Sequence, residues 1–177
     1  SGAAGGNDRS VIGKFKKPSD MRNLFSVGDR VIVITGAAGI LGSAMVRHFA
    51  EQGAQVVVLD RNLEAGERLA AEVAAEGGRA AAYATDVLDR ASLAENHAEI
   101  MDRFGRIDVL INAAGGNMPG ATIPPDKTFF DLDPEAVHKV VDLNLFGTIL
   151  PTMVFARAMT ERGEGSIINI GSESALR

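Results

Sequence analysis

The chain alternates short apolar runs with longer amphipathic segments. The first apolar run is Val31–Ile34, and others follow at Val56–Leu59, Ile107–Ile111 and Ser166–Ile170, with a weaker one over Ala80–Thr85. Runs that are short and continuously apolar are typical of strands buried on both faces of a parallel sheet. The pattern therefore predicts five strands.

Between the strands, apolar residues recur at helical spacing. This predicts helices over residues 40–52, Leu63–Glu76, residues 89–104 and Pro134 to about Met159. The order βαβαβαβαβ predicts an α/β fold: a Rossmann-type, doubly wound parallel sheet in a single domain, with right-handed crossovers and the strand order 3-2-1-4-5.

Two stretches depart from this alternation. Residues 1–29 lack sustained periodicity and are interpreted as an N-terminal tail and arm, so that the nucleotide-binding domain comprises residues 30–177. The connection Gly115–Asp133 is longer than such loops usually are, which favours a role in binding.

Composition narrows the possible partners. A hydrophobic content of 46% suits a soluble globular protein, and a net charge of -5 gives no reason to expect nucleic acid as a partner. No apolar stretch is expected to reach the roughly 20 residues that cross a bilayer, so a cytoplasmic protein without membrane contact is predicted. The chain has no cysteine, and its three histidines are scattered, so no metal site is expected.

Candidate chemistry begins at the turn after the first strand. The segment Thr35–Gly42 carries three glycines and leads directly into a helix. Such a turn can bring backbone N–H groups and a helix N-terminus against a pyrophosphate. The residues expected to bind a dinucleotide here are Gly36, Gly39, Ile40, Leu41 and Gly42.

An acidic residue stands at the end of the second strand. Asp60 is placed to accept hydrogen bonds from an adenosine ribose and to repel a 2′-phosphate, which favours NAD over NADP. Arg61 leaves NADP as an alternative cofactor, because a guanidinium beside this position can bind a 2′-phosphate.

Together with the glycine turn, the segment Asn112-Ala113-Ala114-Gly115 resembles the signature of the short-chain dehydrogenase/reductase family, and the resemblance extends over residues 24–177. It implies a nicotinamide cofactor, and it implies that this segment supports the central sheet and lines the cofactor site with Asn112, Ala113, Ala114 and Gly115. It further implies that Asp86, with Val87, contacts the adenine. From the residues alone, Asp86 would be a helix cap.

The resemblance also implies two catalytic positions. Asn144 matches the family's helix asparagine, which orients a water of the proton relay, and Ser172 matches its catalytic serine. The residue types alone leave other interpretations open, a helix-kinking polar residue for Asn144 and a turn residue for Ser172.

Hydride transfer also needs a base for the hydroxyl proton. In the family this base is a tyrosine in a Tyr-x-x-x-Lys motif, which this sequence lacks; its one tyrosine, Tyr83, falls in the third predicted strand. The sequence therefore predicts a domain truncated before that motif, which by itself binds cofactor weakly and is inactive.

Further segments bear on the branch of the family. Gly39 gives the glycine spacing of the extended branch, whereas the classical branch has its middle glycine at the position of Ile40, so a sugar-nucleotide epimerase is one alternative. However, Gly115–Asn117, Thr128–Asp133 and Asp142–Thr148 resemble classical members of the D-mannonate oxidoreductase (fructuronate reductase) type.

This second resemblance implies NAD-linked interconversion of mannonate and fructuronate, or of a related sugar acid, with the loop Asn117–Asp133 shaping the substrate pocket. It also implies a homo-oligomer, a dimer or tetramer, assembled in part through the helix that starts at Pro134. A non-catalytic nucleotide-binding fragment or sensor, and a methyltransferase, remain alternatives.

Overall fold

A computed structural model describes residues 26–172. The tail and most of the arm predicted within residues 1–29 lie outside the described residues, as do residues 173–177.

Five parallel strands form one sheet. They are β1 (Val31–Thr35), β2 (Gln55–Asp60), β3 (Arg79–Ala84), β4 (Val109–Asn112) and β5 (Ser166–Asn169). Their spatial order is β3-β2-β1-β4-β5. The predicted doubly wound sheet and its strand order are thereby confirmed, and the predicted third strand, the weakest in the sequence, is present as β3.

Helices connect the strands. They are α1 (Ile40–Glu51), α2 (Leu63–Ala75), α3 (Arg90–Phe104), α4 (Pro134–Val141) and α5 (Gly147–Arg162). The sequence predicts one helix from Pro134 onward, but a π-helical segment, Asp142–Phe146, separates α4 from α5. The long connection after β4 contains two short 3₁₀ helices, Pro119–Ala121 and Phe129–Asp131.

Alternate side chains of the strands supply two hydrophobic cores, one on each face of the sheet. Val31 and Val33 point to the face covered by α3 and α5, where Phe155 is fully buried. Ile32 and Ile34 point to the face covered by α1 and α2. Because both faces are covered, β1 is buried at every position, which explains its uninterrupted apolar sequence.

The helical stretch Pro134–Arg162 corrects one expectation. Its 29 residues are long and apolar enough, by length and composition, to cross a membrane. The expectation that no stretch reaches this length was wrong. Polar residues interrupt the apolar runs of this helical stretch, but its mean hydropathy remains as high as that of a membrane-spanning segment. Phe155, Ala158 and Met159 pack this helix on the sheet.

A buried carboxylate ties the amino-terminal ends of β1 and β4 together. Asp108 is 4% exposed, and its side chain accepts hydrogen bonds from Arg30, Arg106, Arg162 and the backbone N–H of Val31. Burial by itself would raise the pKa of Asp108, but the hydrogen bonds, that from Arg106 first, outweigh it and lower the pKa to about 2. This cluster lies at the amino-terminal ends of the strands, whereas the cleft described next lies at their carboxyl ends.

Candidate cofactor-binding site

A cleft of about 360 Å³ opens at the carboxyl ends of the strands. It lies where the chain order reverses between β1 and β4, the place where open α/β sheets bind ligands. Its lining comprises Gly36, Gly39, Ile40, Leu41, Gly42, Asp60, Arg61, Thr85, Val87, Ala113, Ala114, Gly115 and Leu143. Four separate segments that the sequence predicts to bind a dinucleotide therefore meet in one cleft.

Two of the three glycines in the turn are required by the backbone. Gly36 has a φ of +62°, and a Cβ there would come within 2.7 Å of Cα of Ala114 at the end of β4. A Cβ on Gly42 would lie 2.4 Å from the carbonyl oxygen of Gly36. Gly39 differs, because its Cβ would meet only that same oxygen, at 3.2 Å, and the residue is exposed at the cleft.

The first turn of α1 faces the cleft without a side-chain cap. Its N-cap residue is Gly39, and no acidic residue occupies its first turn. By contrast, α2, α3 and α4 each begin with a capping side chain that accepts a backbone N–H of the first turn. The capping residues are Asn62, Asp89 and Asp133 respectively. The N–H groups at the start of α1 have no partner within the helix, so they and the positive end of the helix dipole are available to an anion in the cleft.

Asp60 joins the glycine turn to the end of β2. One carboxylate oxygen accepts the N–H of Ala38 at 3.0 Å, and the other accepts the N–H of Asn62 at 3.0 Å. Each oxygen keeps a further lone pair for a ligand hydroxyl. The side chain is therefore held in place, at the position where the sequence predicts a ribose.

A threonine that sequence analysis did not assign fixes the other wall. The hydroxyl oxygen of Thr35 accepts the N–H groups of Ala113 and Ala114, each at 3.1 Å. These bonds hold the backbone after β4 against Gly36. The only signal in the sequence is that Thr35 directly precedes the first glycine of the turn.

The two residues expected at the adenine are placed differently. Val87 is buried and lines the cleft, whereas Asp86 is exposed, lies outside the lining, and accepts the N–H of Leu88 at 2.9 Å. Thr85, which sequence analysis did not assign, lines the cleft beside them and accepts a hydrogen bond from Asn96 at 2.7 Å.

Asn112 lies behind the cleft rather than in its lining. It is 2% exposed, and its amide nitrogen donates to the hydroxyl of Thr152 at 3.0 Å and to Oδ1 of Asn169 on β5 at 2.8 Å. The structure therefore places Asn112 inside the sheet, where it supports the site from within.

Asn144 lies in the π-helical segment and contacts the chain after β4. Its Oδ1 accepts the N–H of Gly116 at 3.1 Å, and its Nδ2 donates to the carbonyls of Gly116 and Val140, both at 2.8 Å. A Cβ on Gly115 would lie 2.7 Å from Asn144 Oδ1, so a larger residue there would displace this hydrogen-bonded side chain. Leu143, beside it, lines the cleft although sequence analysis did not assign it.

Ser172 is exposed and follows β5 by three residues. Its catalytic role, like that of Asn144, stays a prediction. Tyr83 lies in β3, where it packs against the core on the side of α3 and α5.

Comparison with known proteins agrees with this geometry. Residues 30–177 match the family model for short chain dehydrogenase. An uncharacterized oxidoreductase from Haemophilus influenzae is 40% identical over 158 residues, which cover 84% of this chain and 55% of that protein. D-threitol dehydrogenase from Mycolicibacterium smegmatis is 33% identical over 151 residues, covering 85% of this chain and 55% of that enzyme.

A solved structure is similar as well. The crystal structure of a "putative D-Mannonate oxidoreductase" from Haemophilus influenzae, with bound NAD, superposes with a TM-score of 0.78 at 39% identity. The match covers 85% of this chain and 57% of that one. The present chain thus spans little more than half the length of these relatives.

Proposed function

The chain belongs to the short-chain dehydrogenase family, and we propose that it carries the cofactor-binding part of an oxidoreductase that transfers a hydride between NAD and a sugar acid. The reacting group is a secondary alcohol or ketone, as in mannonate and fructuronate. The observation that carries the proposal is the meeting of the glycine turn, Asp60 and the segment Ala113–Gly115 at one cleft on the switch point of the sheet.

The shape of the cleft fits a dinucleotide. The uncapped start of α1 and the exposed Gly39 suit a pyrophosphate, and Asp60, at the end of β2, suits the adenosine ribose. When bound here, the nicotinamide accepts a hydride from a carbinol carbon or returns one to a ketone. We assign NAD as the preferred cofactor because an extra phosphate on the ribose would face the Asp60 carboxylate; Arg61, exposed next to it, is the feature that would favour NADP.

Two residues of this chain are assigned to the substrate end. The Ser172 hydroxyl polarises the substrate oxygen by a hydrogen bond, and Asn144 orients a water of the proton relay. Removal of the hydroxyl proton is assigned to no residue of this sequence, because its one tyrosine, Tyr83, lies in β3.

A sugar acid is favoured by the similarity to the Haemophilus structure. The loop Asn117–Asp133, which starts next to the cleft, is assigned to the wall of the substrate pocket. D-threitol dehydrogenase supports an uncharged polyol as the second candidate. We also propose that the protein is cytoplasmic and forms a homo-oligomer through the helix that contains α4 and α5.

Cofactor binding tests the first part of the proposal. Titration calorimetry of NAD⁺ and NADP⁺ against the complete protein is expected to show tighter binding of NAD⁺. Gly39→Ala places a methyl group at the proposed pyrophosphate position without crowding the core, and we expect it to weaken NAD⁺ binding about tenfold, the effect of roughly 1.4 kcal/mol.

Gly28→Ala is the matched control. Its Cβ would make only ordinary contacts, the nearest being Ser26 Oγ at 3.4 Å, and Gly28 precedes the amino-terminal end of β1, away from the cleft. Equal loss of NAD⁺ binding in both variants would contradict the assignment of the glycine turn.

Activity tests the second part. The complete protein is assayed for NADH formation or consumption with mannonate, fructuronate, other sugar acids, polyols and unrelated secondary alcohols. The highest kcat/KM is expected for a sugar acid. A preference for polyols would favour the second candidate, and tight NAD⁺ binding with no turnover of any of these compounds would favour a nucleotide sensor.

A further inference from the structure

One chain of hydrogen bonds crosses from β5 to the π-helical segment. Asn112 Nδ2 on β4 donates to Asn169 Oδ1 on β5 and to Thr152 Oγ1 on α5. The Thr152 hydroxyl in turn donates to the carbonyl of Thr148 at 2.8 Å, and the Thr148 hydroxyl donates to the carbonyl of Asn144 at 3.0 Å. The chain therefore links the end of the strand that precedes Ser172 to the residue assigned to the proton relay.

The same bonds close a ring. Asn144 binds both backbone groups of Gly116, and Gly116 follows Asn112 by four residues along the chain after β4. The path thus runs from Asn112 through Thr152 and Thr148 to Asn144 and back to the same segment. A closed ring fixes the π-helical segment against the end of β4 more firmly than any single bond in it would.

The polar nature of this ring has a cost in stability. Asn112 is 2% exposed and follows the apolar residues Leu110 and Ile111 in a strand whose neighbours are core residues. Its Oδ1 is buried and has no hydrogen-bond partner among the described residues. An unpaired amide oxygen in the interior is unfavourable, so the asparagine is explained by the two hydrogen bonds that its amide nitrogen donates and not by burial.

The register of β5 against β4 pairs Asn169 with Asn112, so the side-chain hydrogen bond joins two residues that are paired in the sheet. Among the described residues, the last backbone hydrogen bond between these two segments runs from the N–H of Ile170, two residues before Ser172, to the carbonyl of Asn112. The bond from Asn112 to Asn169 lies next to it and adds the side-chain contact that specifies the pairing.

We propose that Asn112 and Thr152 are positioning residues that hold Ser172 at a fixed place relative to Asn144. The catalytic consequence rests on the proposed function, because it assumes that Ser172 and Asn144 act on the substrate. The positioning itself concerns only the geometry of β4, β5 and the π-helical segment, and it can be measured without turnover.

Thr152→Val removes the hydroxyl while keeping the shape of the side chain, and Thr152→Ser keeps the hydroxyl. In the complete protein we expect Thr152→Val to lower kcat about tenfold, the loss of one hydrogen bond's net contribution, with the KM for NAD⁺ changed less than about twofold. Thr152→Ser is expected to restore most of the rate. A simultaneous loss of kcat and NAD⁺ affinity would overturn the proposal, since it would indicate a general structural defect.

Thr160→Val is the matched control on the same helix. The Thr160 hydroxyl also donates to a backbone carbonyl, that of Arg157 at 2.8 Å, but it is exposed and belongs to no part of the ring. Its kcat is expected to equal that of the wild type. Asn169→Ala removes the hydrogen bond at the exposed end of this series, where folding is least affected, and is expected to repeat the effect of Thr152→Val.

Hydrogen–deuterium exchange separates this inference from the proposed function. Exchange of the amides of Ile170 and Gly116 is expected to become about tenfold faster in Thr152→Val and unchanged in Thr160→Val. Unchanged exchange in Thr152→Val would overturn the positioning role whatever the activity. Faster exchange with an unaltered kcat would overturn its catalytic consequence, whereas a wild type inactive on every substrate contradicts only the proposed function.

Discussion

Asp60 has two tasks that a single substitution can separate. Its carboxylate holds the glycine turn through the N–H of Ala38, and its negative charge opposes a 2′-phosphate on a bound dinucleotide. Asparagine keeps one carbonyl oxygen for the N–H of Ala38 but loses the charge and the acceptor for the N–H of Asn62, whereas alanine loses the charge and both acceptors.

We therefore predict that Asp60→Asn reduces the preference for NAD⁺ over NADP⁺ about tenfold, the effect of about 1.4 kcal/mol, while leaving the turn in place. Asp60→Ala is expected to weaken the binding of both cofactors, because the turn loses its acceptor. Titration calorimetry with each cofactor measures the two effects. Identical behaviour of the two variants would mean that the hydrogen bond to Ala38 does not contribute to the site.

Single residues of the site could be predicted where backbone geometry dictates the residue type. Gly36 and Gly42 are examples, since a positive φ and a backbone approach below 3 Å admit no other residue. Thr35 and Leu143 could not be predicted in this way, because their contacts join segments distant in sequence. The family resemblance associates the segment of Asn112 both with the central sheet and with the lining of the site, and the fold places Asn112 itself within the sheet, behind the cleft.

At the scale of elements, β1, β2 and β4 were predictable because strands covered on both faces of a sheet demand continuous apolar runs. The π-helical segment was not, because its apolar spacing resembles that of an ordinary helix. Pro151 lies one turn beyond it, buried inside α5, and the hydroxyls of Thr148 and Thr152 bond to carbonyls four residues earlier. These are known features of irregular helices, yet none of them fixes where the irregularity falls.

Asp108 connects three elements, because its arginine partners come from the start of β1, the end of α5 and the residue two before Asp108 itself. Its pKa is about 2 in the folded protein and 3.8 ordinarily. A lowered pKa stabilises the fold fully above the unfolded value, and this contribution is lost as the pH falls from about 3.8 to about 2. The shift corresponds to about 2 kcal/mol.

Asp108→Asn is therefore expected to lower the free energy of unfolding by about 2 kcal/mol at pH 7, and by progressively less below pH 3.8. Urea unfolding of both proteins at several pH values between about 2.5 and about 7 measures the difference. Asp102→Asn, an exposed substitution on α3, is the control and is expected to follow the wild type. A difference between Asp108→Asn and wild type that does not depend on pH would contradict the account of the cluster.

At the scale of the whole molecule, the face of the Pro134–Arg162 helix that points away from the sheet carries an apolar stripe. Its members recur every four residues and are each at least 39% exposed: Val141, Leu145, Ile149 and Met153. Phe146, 46% exposed, lies beside them. A contiguous apolar patch of this kind marks an interaction site. The family resemblance, which implies assembly through this helix, makes a second copy of the chain the expected partner.

Met153→Glu places a charge near the end of the stripe, where it would be buried without a partner if a second copy covers it. We predict that the wild-type protein is a dimer or tetramer in solution and that this substitution shifts it toward the monomer, by at least about tenfold in the dissociation constant, because an unpaired charge in an interface costs more than about 1.4 kcal/mol. Ala74→Glu, exposed on α2 at the opposite face of the sheet, should leave the assembly intact. Sedimentation equilibrium over a range of concentrations measures both variants. A monomeric wild type, or a Met153→Glu variant that assembles like the wild type, would mean that the stripe is not the interface between copies.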